Sequence, residues 1–377
     1  MFGKRYDLFT LFGFKIRIDL SWFIIAILIT WSLAEGFFPF YYEGLSSATY
    51  WWMGAAGALG LFGSIVLHEL SHAVVARRYG LRMKGITLFI FGGVAEMQDE
   101  PPRPKVEFMV AIAGPIASIL IAAGFFGLYR IGQFTGWPGA ANGVLAYLAI
   151  INVVLVGFNL VPAFPLDGGR VLRSVLWQWK NNLRWATRIT TQLGSGFGIA
   201  LIVLGLWSVI SGNFVGGMWW FLIGMFLRGA AQMSYQQLLL RQALEGEPVS
   251  RFMKAEPVTV PAYISLQELV DDYIYKHHFK MFPVVDDGKL RGSISTRQVK
   301  GVPREEWARQ TVDALVEPCS QENTVRPETD AMKALEKLNR TGASRLLVVD
   351  GTRLVGIIAL KDLLKFLSLK VELEEER

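Results

Sequence analysis

The stretch that decides the fold is residues 54–76, GAAGALGLFGSIVLHELSHAVVA. It is long and apolar enough to cross a bilayer, yet it carries the sequence HELSH near one end. Ionisable side chains are expensive inside hydrocarbon, so His68, Glu69 and His72 need a compensating role there. A bound metal ion would supply that role.

The spacing within HELSH is that of a metal-binding helix. Residues four apart stack on one face of a helix, so His68 and His72 can hold one Zn²⁺ between them. Glu69 is one position further round, where it can miss the metal and act as a general base on water. In soluble proteins HExxH also occurs by chance on a solvated helix, but the apolar residues on both sides disfavour that interpretation. We therefore predict a metallohydrolase centre.

The composition divides the chain into two parts. The 377 residues are 52% hydrophobic and carry a net charge of +6, with apolar runs concentrated in 19–240. Most basic residues lie in the loops between these runs, which is typical of cytoplasmic anchoring and not of nucleic-acid binding. The single cysteine, Cys319, excludes an internal disulfide framework and fits a reducing compartment for the C-terminal part.

Six membrane spans are predicted from the apolar runs, at about 20–33, 54–76, 107–129, 141–160, 190–211 and 215–238. Loops that contain several Lys and Arg alternate with loops that contain few or none, which places both termini in the cytoplasm. The polar residues before the first run, without a small-residue cleavage site, argue against a cleaved signal. The pattern therefore predicts a polytopic α-helical protein of the plasma membrane.

One short segment does not fit a helical span. Residues 85–97, GITLFIFGGVAEM, are too few to cross a membrane and too rich in β-branched and aromatic residues for a good helix. We predict a re-entrant β-hairpin that turns at Gly92-Gly93. Its exposed strand edge could bind an extended substrate through main-chain hydrogen bonds, a hypothesis to be tested with proline at Thr87 or Phe89.

The tail contains two similar halves. After a linker at 241–248, the halves at 249–304 and 311–370 each predict an extended leading segment, an amphipathic helix, two strands and a closing helix. Two copies can bury against one another the surface that neither copy buries alone. We therefore predict a cytosolic α/β domain that follows a membrane domain at 1–240.

The metal centre needs a third ligand, because a catalytic zinc usually has three protein ligands and one open position. His277, His278 and the only cysteine lie in the tail, so a carboxylate must complete the set. Asp167 is the best candidate, as the sole acid between Glu107 and Glu245. It also follows a span that is broken at NLVPAFPLDGGR, and irregular backbone at membrane depth is tolerated only where it is buried or lines a cavity.

Two alternatives remain for this ligand. Asp167 could instead be the N-cap residue of a following helix. Glu96, Asp99 and Glu100 are rival carboxylates, although they are expected to lie nearer the water.

These motifs together resemble the site-2 protease family, the intramembrane zinc metalloproteases of peptidase family M50. The resemblance is carried by HELSH on an apolar span, FGG at 91–93 and NLVPAFPLDGG at a broken span, and the tail resembles a pair of CBS repeats. It implies that His68, His72 and Asp167 bind one Zn²⁺ per chain and that Glu69 is the catalytic acid/base.

The resemblance also implies a substrate and a mode of binding it. The expected activity is regulated intramembrane proteolysis, in which membrane-tethered or single-span proteins are cut near the cytoplasmic face of the bilayer. Asn159 is expected to engage the substrate or the developing oxyanion, and Gly92 and Gly93 are expected to contact the substrate. For Asn159, an amide that caps the broken helix is an equally good interpretation.

The CBS resemblance implies a further ligand. CBS pairs often bind adenine nucleotides through a Ser or Thr followed, three positions on, by Asp. The first repeat has Ser295 but Gln298, and the second has Asp362 but Ala359. Ser295 and Asp362 thus predict at most one composite or weakened nucleotide site. Homodimerisation or substrate docking through the pair is the alternative.

A transporter or channel gated by the CBS pair is the competing functional class, since metal in the membrane could be cargo. Transport, however, does not require Glu69 directly after the first histidine. The variant Glu69→Gln would separate the two classes, because a protease should lose turnover and keep its zinc. A noncatalytic scaffold is disfavoured because every expected catalytic residue is present.

Overall fold

The computed structural model describes residues 5–97 and 100–366, and it divides into two compact units after Tyr235. The helices that begin in the first unit are α1 (Ser21–Tyr41), α2 (Ser47–Arg78), α3 (Pro104–Thr135), α4 (Gly139–Asn159), α5 (Asp167–Lys180), α6 (Leu183–Ile210) and α7 (Phe214–Leu244). All of these except α5 are long and apolar enough to cross a membrane. The predicted count of six spans is therefore confirmed for the described residues.

The membrane helices approach closely where α2 carries glycine. A Cβ at Gly54 would lie 2.7 Å from the carbonyl oxygen of Thr30 on α1, and a Cβ at Gly60 would lie 2.7 Å from the Leu148 side chain on α4. Small residues let neighbouring helices pack in this way inside a bilayer. Gly63 of the same helix makes no such contact, because no atom lies within 4 Å of a Cβ built there.

A four-stranded sheet packs against α2, and half of it was not predicted. Its strands are β1 (Arg5–Leu11), β2 (Phe14–Asp19), β3 (Met83–Phe89) and β4 (Gly92–Met97), hydrogen-bonded in that order. Strands β2 and β3 run parallel, whereas the two outer pairs are antiparallel. The sheet buries Phe14, Ile16 and Ile86 against Leu70 and Ala73 of α2. This packing fixes the sheet beside the HELSH segment.

A β-hairpin at 85–97 is present as β3 and β4 with a turn that differs from the predicted one, and its re-entrant position in the membrane stays a prediction. The two turn residues are Ile90 and Phe91, not Gly92 and Gly93, which begin β4. Gly92 has φ +126°, a conformation that glycine adopts without strain at the start of the return strand. The two edge strands of the sheet are β1 and β4, and β4 is the one that lines the cavity beside α2. Thr87 lies on β3 between strand partners on both sides, so proline there would break the sheet without testing the edge.

The helix α5 follows the broken span and begins at Asp167 itself. Leu166 occupies the N-cap position and makes no side-chain capping bond. The interpretation of Asp167 as an N-cap residue is therefore wrong. Because Asp167 is the first helical residue, Arg170 and Arg173 follow it at intervals of three along one side of α5.

The second unit contains two small sheets whose strands are exchanged between the halves. The sheets have the orders β6 (Met281–Asp286), β7 (Lys289–Ser295), β8 (Glu317–Pro318) and β5 (Lys254–Ala255), β11 (Arg353–Ala359), β10 (Arg345–Asp350), β9 (Thr324–Val325). Strand β5 belongs to the first half by sequence but pairs with β11 of the second, and β8 of the second half pairs with β7 of the first. Neither half therefore completes its own sheet.

The hydrophobic cores of the second unit show the same exchange. Val249 and Phe252 from the start of the first half are buried in a core with Leu346 and Ile358 of the second half. The end of α7 enters this core as well, and its helix continues to Leu244. The first four residues of the predicted linker 241–248 are thus helical, and the remaining predicted boundaries stay predictions.

Candidate functional site

Three side chains from two distant segments converge on one point. His68 and His72 lie one turn apart on the same face of α2, and Asp167 is the first residue of α5. Asp167 Oδ2 lies 3.0 Å from His68 Nε2 and 3.2 Å from His72 Nε2, and the two Nε2 atoms are 3.2 Å apart. The structure therefore brings together the three residues that the sequence predicted as ligands.

The other nitrogen of each imidazole is held by α3. His72 Nδ1 lies 2.7 Å from the carbonyl oxygen of Val110, and His68 Nδ1 lies 2.9 Å from Ser118 Oγ. A carbonyl oxygen only accepts hydrogen bonds, so Nδ1 of His72 must carry the proton. The Nε2 lone pair of the neutral ring then points at Asp167. Outer hydrogen bonds of this kind orient metal-binding histidines.

Gly114 and Pro115 of α3 make room for this arrangement. A Cβ at Gly114 would lie 2.6 Å from His68 Nε2 and closer still to His72 Nε2, so only glycine fits there. Pro115 lies inside the helix and has no N–H to donate to the preceding turn, which loosens the helical ladder beside Val110. The sequence shows Gly114-Pro115 plainly, but its contact with the histidines required the fold.

The geometry fits a bound cation. The two Nε2 atoms and Oδ2 lie within 4.8 Å of one another, and all three are acceptors when Nδ1 carries the proton of each ring. Three such acceptors repel one another unless a cation lies between them. Ligand atoms about 2.0–2.1 Å from one tetrahedral zinc stand about 3.3 Å apart, close to the separations seen here. Nitrogen and carboxylate donors are ligands that zinc accepts.

Glu69 is oriented by the edge strand and does not join the ligand group. Its Oε2 accepts a hydrogen bond from the main-chain N–H of Ala95 on β4, with an N–O distance of 3.0 Å. Gly93 lies against the same side chain, since a Cβ there would be 2.8 Å from Glu69 Cγ. The Ala95 N–H therefore points away from β3, toward α2. In an antiparallel strand the main chain of Gly93, two residues earlier, faces the same way.

The group opens into a cavity of about 730 Å³ formed by α1, α2, α4, α5, α7 and the β3–β4 hairpin. Glu69, Gly92, Gly93 and Asn159 line it together with the three candidate ligands. Asn159 is the last residue of α4, and its amide makes no hydrogen bond with the described residues. Most of the remaining lining is apolar. The cavity therefore combines a few polar groups with a largely apolar wall.

Two arginines of α5 complete the surroundings, and sequence reasoning missed both. Arg173 Nε donates to Glu107 Oε1 at 2.6 Å, and both side chains are almost completely buried between α5 and α3. Arg170 lines the cavity, and its only hydrogen bond among the described residues is to Met97 Sδ, at 4.0 Å from Nη2. The spacing of Asp167, Arg170 and Arg173 along one helix side was the signal that could have identified them.

The rival carboxylates do not join the ligand group among the described residues. Asp99 and the side chain of Glu96 lie outside the described residues, and Glu100 is not part of the group.

The two residues predicted to bind a nucleotide do not line the cavity found in the second unit. Ser295 Oγ donates to Gln298 Oε1 at 2.8 Å, which closes a capping box at the helix Thr296–Val299. Neither Ser295 nor Asp362 lines the cavity of about 710 Å³ in this unit, whose basic residues are Lys280, Arg345, Lys361 and Lys365. The structure thus leaves the hydroxyl of Ser295 engaged within its own repeat.

Comparison with known proteins matches both parts of the chain. The family model for peptidase family M50 matches residues 56–137 and 135–205, which include HELSH and Asp167. The model for the CBS domain matches residues 249–303 and 317–369.

Full-length relatives are also found. Rip3 of Mycobacterium tuberculosis is 34% identical over 358 residues, which cover 94% of this chain and 91% of Rip3. The zinc metalloprotease MJ0392 of Methanocaldococcus jannaschii is 33% identical over 322 residues, or 84% of this chain and 86% of that protein. The solved structure of a site-2 protease from Methanocaldococcus jannaschii is 29% identical and covers 61% of this chain and 94% of its own, with a TM-score of 0.44.

Proposed function

The chain belongs to peptidase family M50, and we propose that it is an intramembrane endopeptidase that cleaves membrane-tethered or single-span substrates near the cytoplasmic face. Zinc-dependent peptide hydrolysis by a multi-pass membrane protein follows from that membership, so the transporter interpretation is rejected. The observation that carries the finer proposal is the convergence of His68, His72 and Asp167 in a cavity between membrane-spanning helices.

In this proposal His68, His72 and Asp167 hold the zinc ion and Glu69 is the acid/base. Bound zinc supplies a Lewis acid that polarises the scissile carbonyl and lowers the pKa of water. Glu69 accepts the proton of the attacking water at Oε1, because Oε2 is occupied by the Ala95 amide. The same carboxyl group later protonates the leaving amine. The apolar cavity wall limits the number of water molecules that compete for these groups.

The substrate is proposed to add as an extended strand to the free edge of β4. The main-chain groups of Gly93 and Ala95 face away from β3, toward Glu69. A peptide that paired with them would pass the candidate ligands. Gly93 permits close approach because it has no side chain, and Gly92 allows the turn that precedes the strand. The amide of Asn159, which also lines the cavity, is proposed to hold the substrate main chain.

Reconstitution tests this function. The purified chain in liposomes should cut a co-reconstituted single-span substrate, and mass spectrometry of the products should place the cut near the end of the span that faces the cytoplasm. Glu69→Gln should retain bound zinc at the wild-type ratio and lose at least about 100-fold in turnover, because proton transfer by a positioned group contributes roughly 10²–10⁴-fold. Cleavage by Glu69→Gln at the wild-type rate, or cutting only outside the membrane-associated segment, would contradict the proposal.

The orientation proposed for the chain places both termini in the cytoplasm and the protein in the plasma membrane. The helix α2 ends with Arg77 and Arg78, and α5 carries Arg170, Arg173 and Lys180. Basic residues at these ends favour the cytoplasmic side. Water and protons would then reach the metal site from the cytoplasm.

The second unit is proposed to regulate or dock the substrate. An adenine nucleotide is one candidate ligand, with Ser295 and Asp362 as its predicted contacts, and homodimerisation through the CBS pair is the other. Calorimetric titration of the full-length chain with ATP and AMP separates them. Saturable binding that is lost in Asp362→Ala supports the nucleotide, whereas no binding together with a dimer in light scattering supports dimerisation.

A further inference from the structure

Arg170 is a cation in the cavity that has almost no hydrogen-bond partner among the described residues. It lies one turn beyond Asp167 on α5, where side chains three apart have Cβ atoms about 5–6 Å from one another. A guanidinium carries five N–H donors. Among the described residues, its only contact is the weak one to Met97 Sδ at 4.0 Å, and its buried Nε has no partner.

The next arginine on the same side of α5 shows what a structural role looks like. Arg173 is buried and donates directly to Glu107 Oε1 at 2.6 Å. Glu107 also lies close enough to Arg170 to interact with it electrostatically, but no hydrogen bond joins the two side chains. Arg170 as a residue is only partly buried, but its Nε is buried without a hydrogen-bond partner, and a polar group left unsatisfied in this way is destabilising. The Arg170 guanidinium therefore lacks the partner that its neighbour has.

The charges around the cavity indicate what that partner is. Asp167 and Glu69 are the carboxylates nearest the candidate ligands, and both are charge neighbours of Arg170. Two carboxylates and two neutral histidines balance one divalent zinc ion. Arg170 then leaves an excess of one positive charge beside the reacting groups. When Glu69 takes the proton of the attacking water, one negative charge moves from Glu69 to the carbonyl oxygen, and a cation beside that oxygen stabilises the charge in its new position.

We propose that Arg170 is a further catalytic residue, which donates N–H to the substrate carbonyl oxygen as that oxygen gains negative charge. This inference rests on the proposed function, because it requires a peptide bond at the metal site. When water adds to the carbonyl carbon, the C=O π electrons move to oxygen, and a preorganised donor stabilises that charge more than it stabilises the substrate. Arg170 differs in this from Asn159, whose amide is neutral.

The test compares Arg170→Gln and Arg170→Lys with the control Arg188→Gln, which removes an exposed arginine of α6. Bound zinc is measured in every variant, and turnover is expressed per bound zinc. Arg170→Gln is expected to lower kcat about 100-fold with KM within about threefold, as for the loss of one oxyanion donor. Arg170→Lys keeps the charge but not the planar fork and is expected to lose about tenfold. The control is expected to match wild type.

A second readout does not depend on turnover. A phosphinate peptide carries a tetrahedral anionic centre, so its affinity should fall in Arg170→Gln by about the factor lost in kcat/KM, while the affinity of the uncharged substrate stays unchanged. The proposal is overturned if turnover per bound zinc is the same as in wild type for both variants, or if the two peptides lose affinity equally. If the wild-type chain does not cut the single-span substrate in liposomes, that result would instead count against the proposed function.

Discussion

At the scale of single residues, the metal site depends on the absence of a Cβ at Gly114. Gly114 lets α3 pass directly beneath both Nε2 atoms, and a Cβ there would overlap them. We expect Gly114→Ala to lose bound zinc and activity together, because the histidines would have to move apart. Gly124→Ala, on the same helix with no atom within 4 Å of the new Cβ, is the matched control and should bind zinc normally. Zinc stoichiometry by atomic absorption checks both, and wild-type loading of Gly114→Ala would contradict the expectation.

Ser118 provides a second prediction at this scale. Its hydroxyl lies 2.9 Å from His68 Nδ1, so Ser118→Ala should weaken zinc binding about 10- to 100-fold by releasing the ring orientation. The control is Ser71→Ala, because the Ser71 hydroxyl only bonds the carbonyl of Leu67 in its own helix. Competition with a zinc chelator gives the two affinities. Equal affinity in the two variants would show that Ser118 does not orient the ring.

The ligands could be predicted from the sequence, but the residues that orient them could not. His68 and His72 follow from helical spacing, and Asp167 follows from the scarcity of acids in the membrane part. Ser118 and Val110 act through contacts between segments about 40 to 50 residues apart. No local pattern records such a contact.

At the scale of elements, one buried ion pair joins α3 to α5 and so holds Asp167 in place. Arg173 and Glu107 are 5% and 1% exposed. Glu107→Gln leaves the guanidinium without a counter-charge, and we expect a loss of about 3–5 kcal/mol in the free energy of unfolding. The double variant Glu107→Leu with Arg173→Met should recover most of that loss, since it removes both charges. Thermal unfolding of the zinc-loaded chain in detergent measures both, and a double variant less stable than Glu107→Gln would refute the account.

The sheet beside α2 shows a pattern that charge concealed. Phe14, Ile16 and Ile18 are buried and alternate with Lys15 and Arg17, which is the period of a half-buried strand. Without the structure, the same residues are recognisable only as a polar segment before the first apolar run. The helices were predicted more securely because their apolar runs are long and need no partner to be recognised.

At the scale of the whole molecule, the orientation proposed for the chain can be read from Cys319. This is the only cysteine in the sequence, and it is exposed in the second unit. A membrane-impermeant maleimide should label it in inverted membrane vesicles and not in right-side-out vesicles or intact cells. Cys319→Ser is the control for background labelling. Labelling in intact cells would place the second unit outside the cytoplasm and contradict the orientation.

The two repeats were predicted as a pair, but the exchange of their strands was not. Each leading segment has the same character, so the sequence does not say which half it completes. The structure pairs β5 with β11 and β8 with β7. Tertiary packing decides which half each strand pairs with, and the periodicity of the sequence carries no information about it.

The parallel pairing of β2 with β3 has a consequence for how the chain is made. These strands flank α1 and α2 in the sequence, and hydrogen-bonded strands must lie on one side of a bilayer. The nascent chain must therefore cross the membrane an even number of times between Asp19 and Met83. In a ribosome-bound intermediate with only α1 inserted, β2 and β3 would lie on opposite sides of the bilayer. Both α1 and α2 must be inserted before β3 can pair with β2 and complete the sheet that orients Glu69.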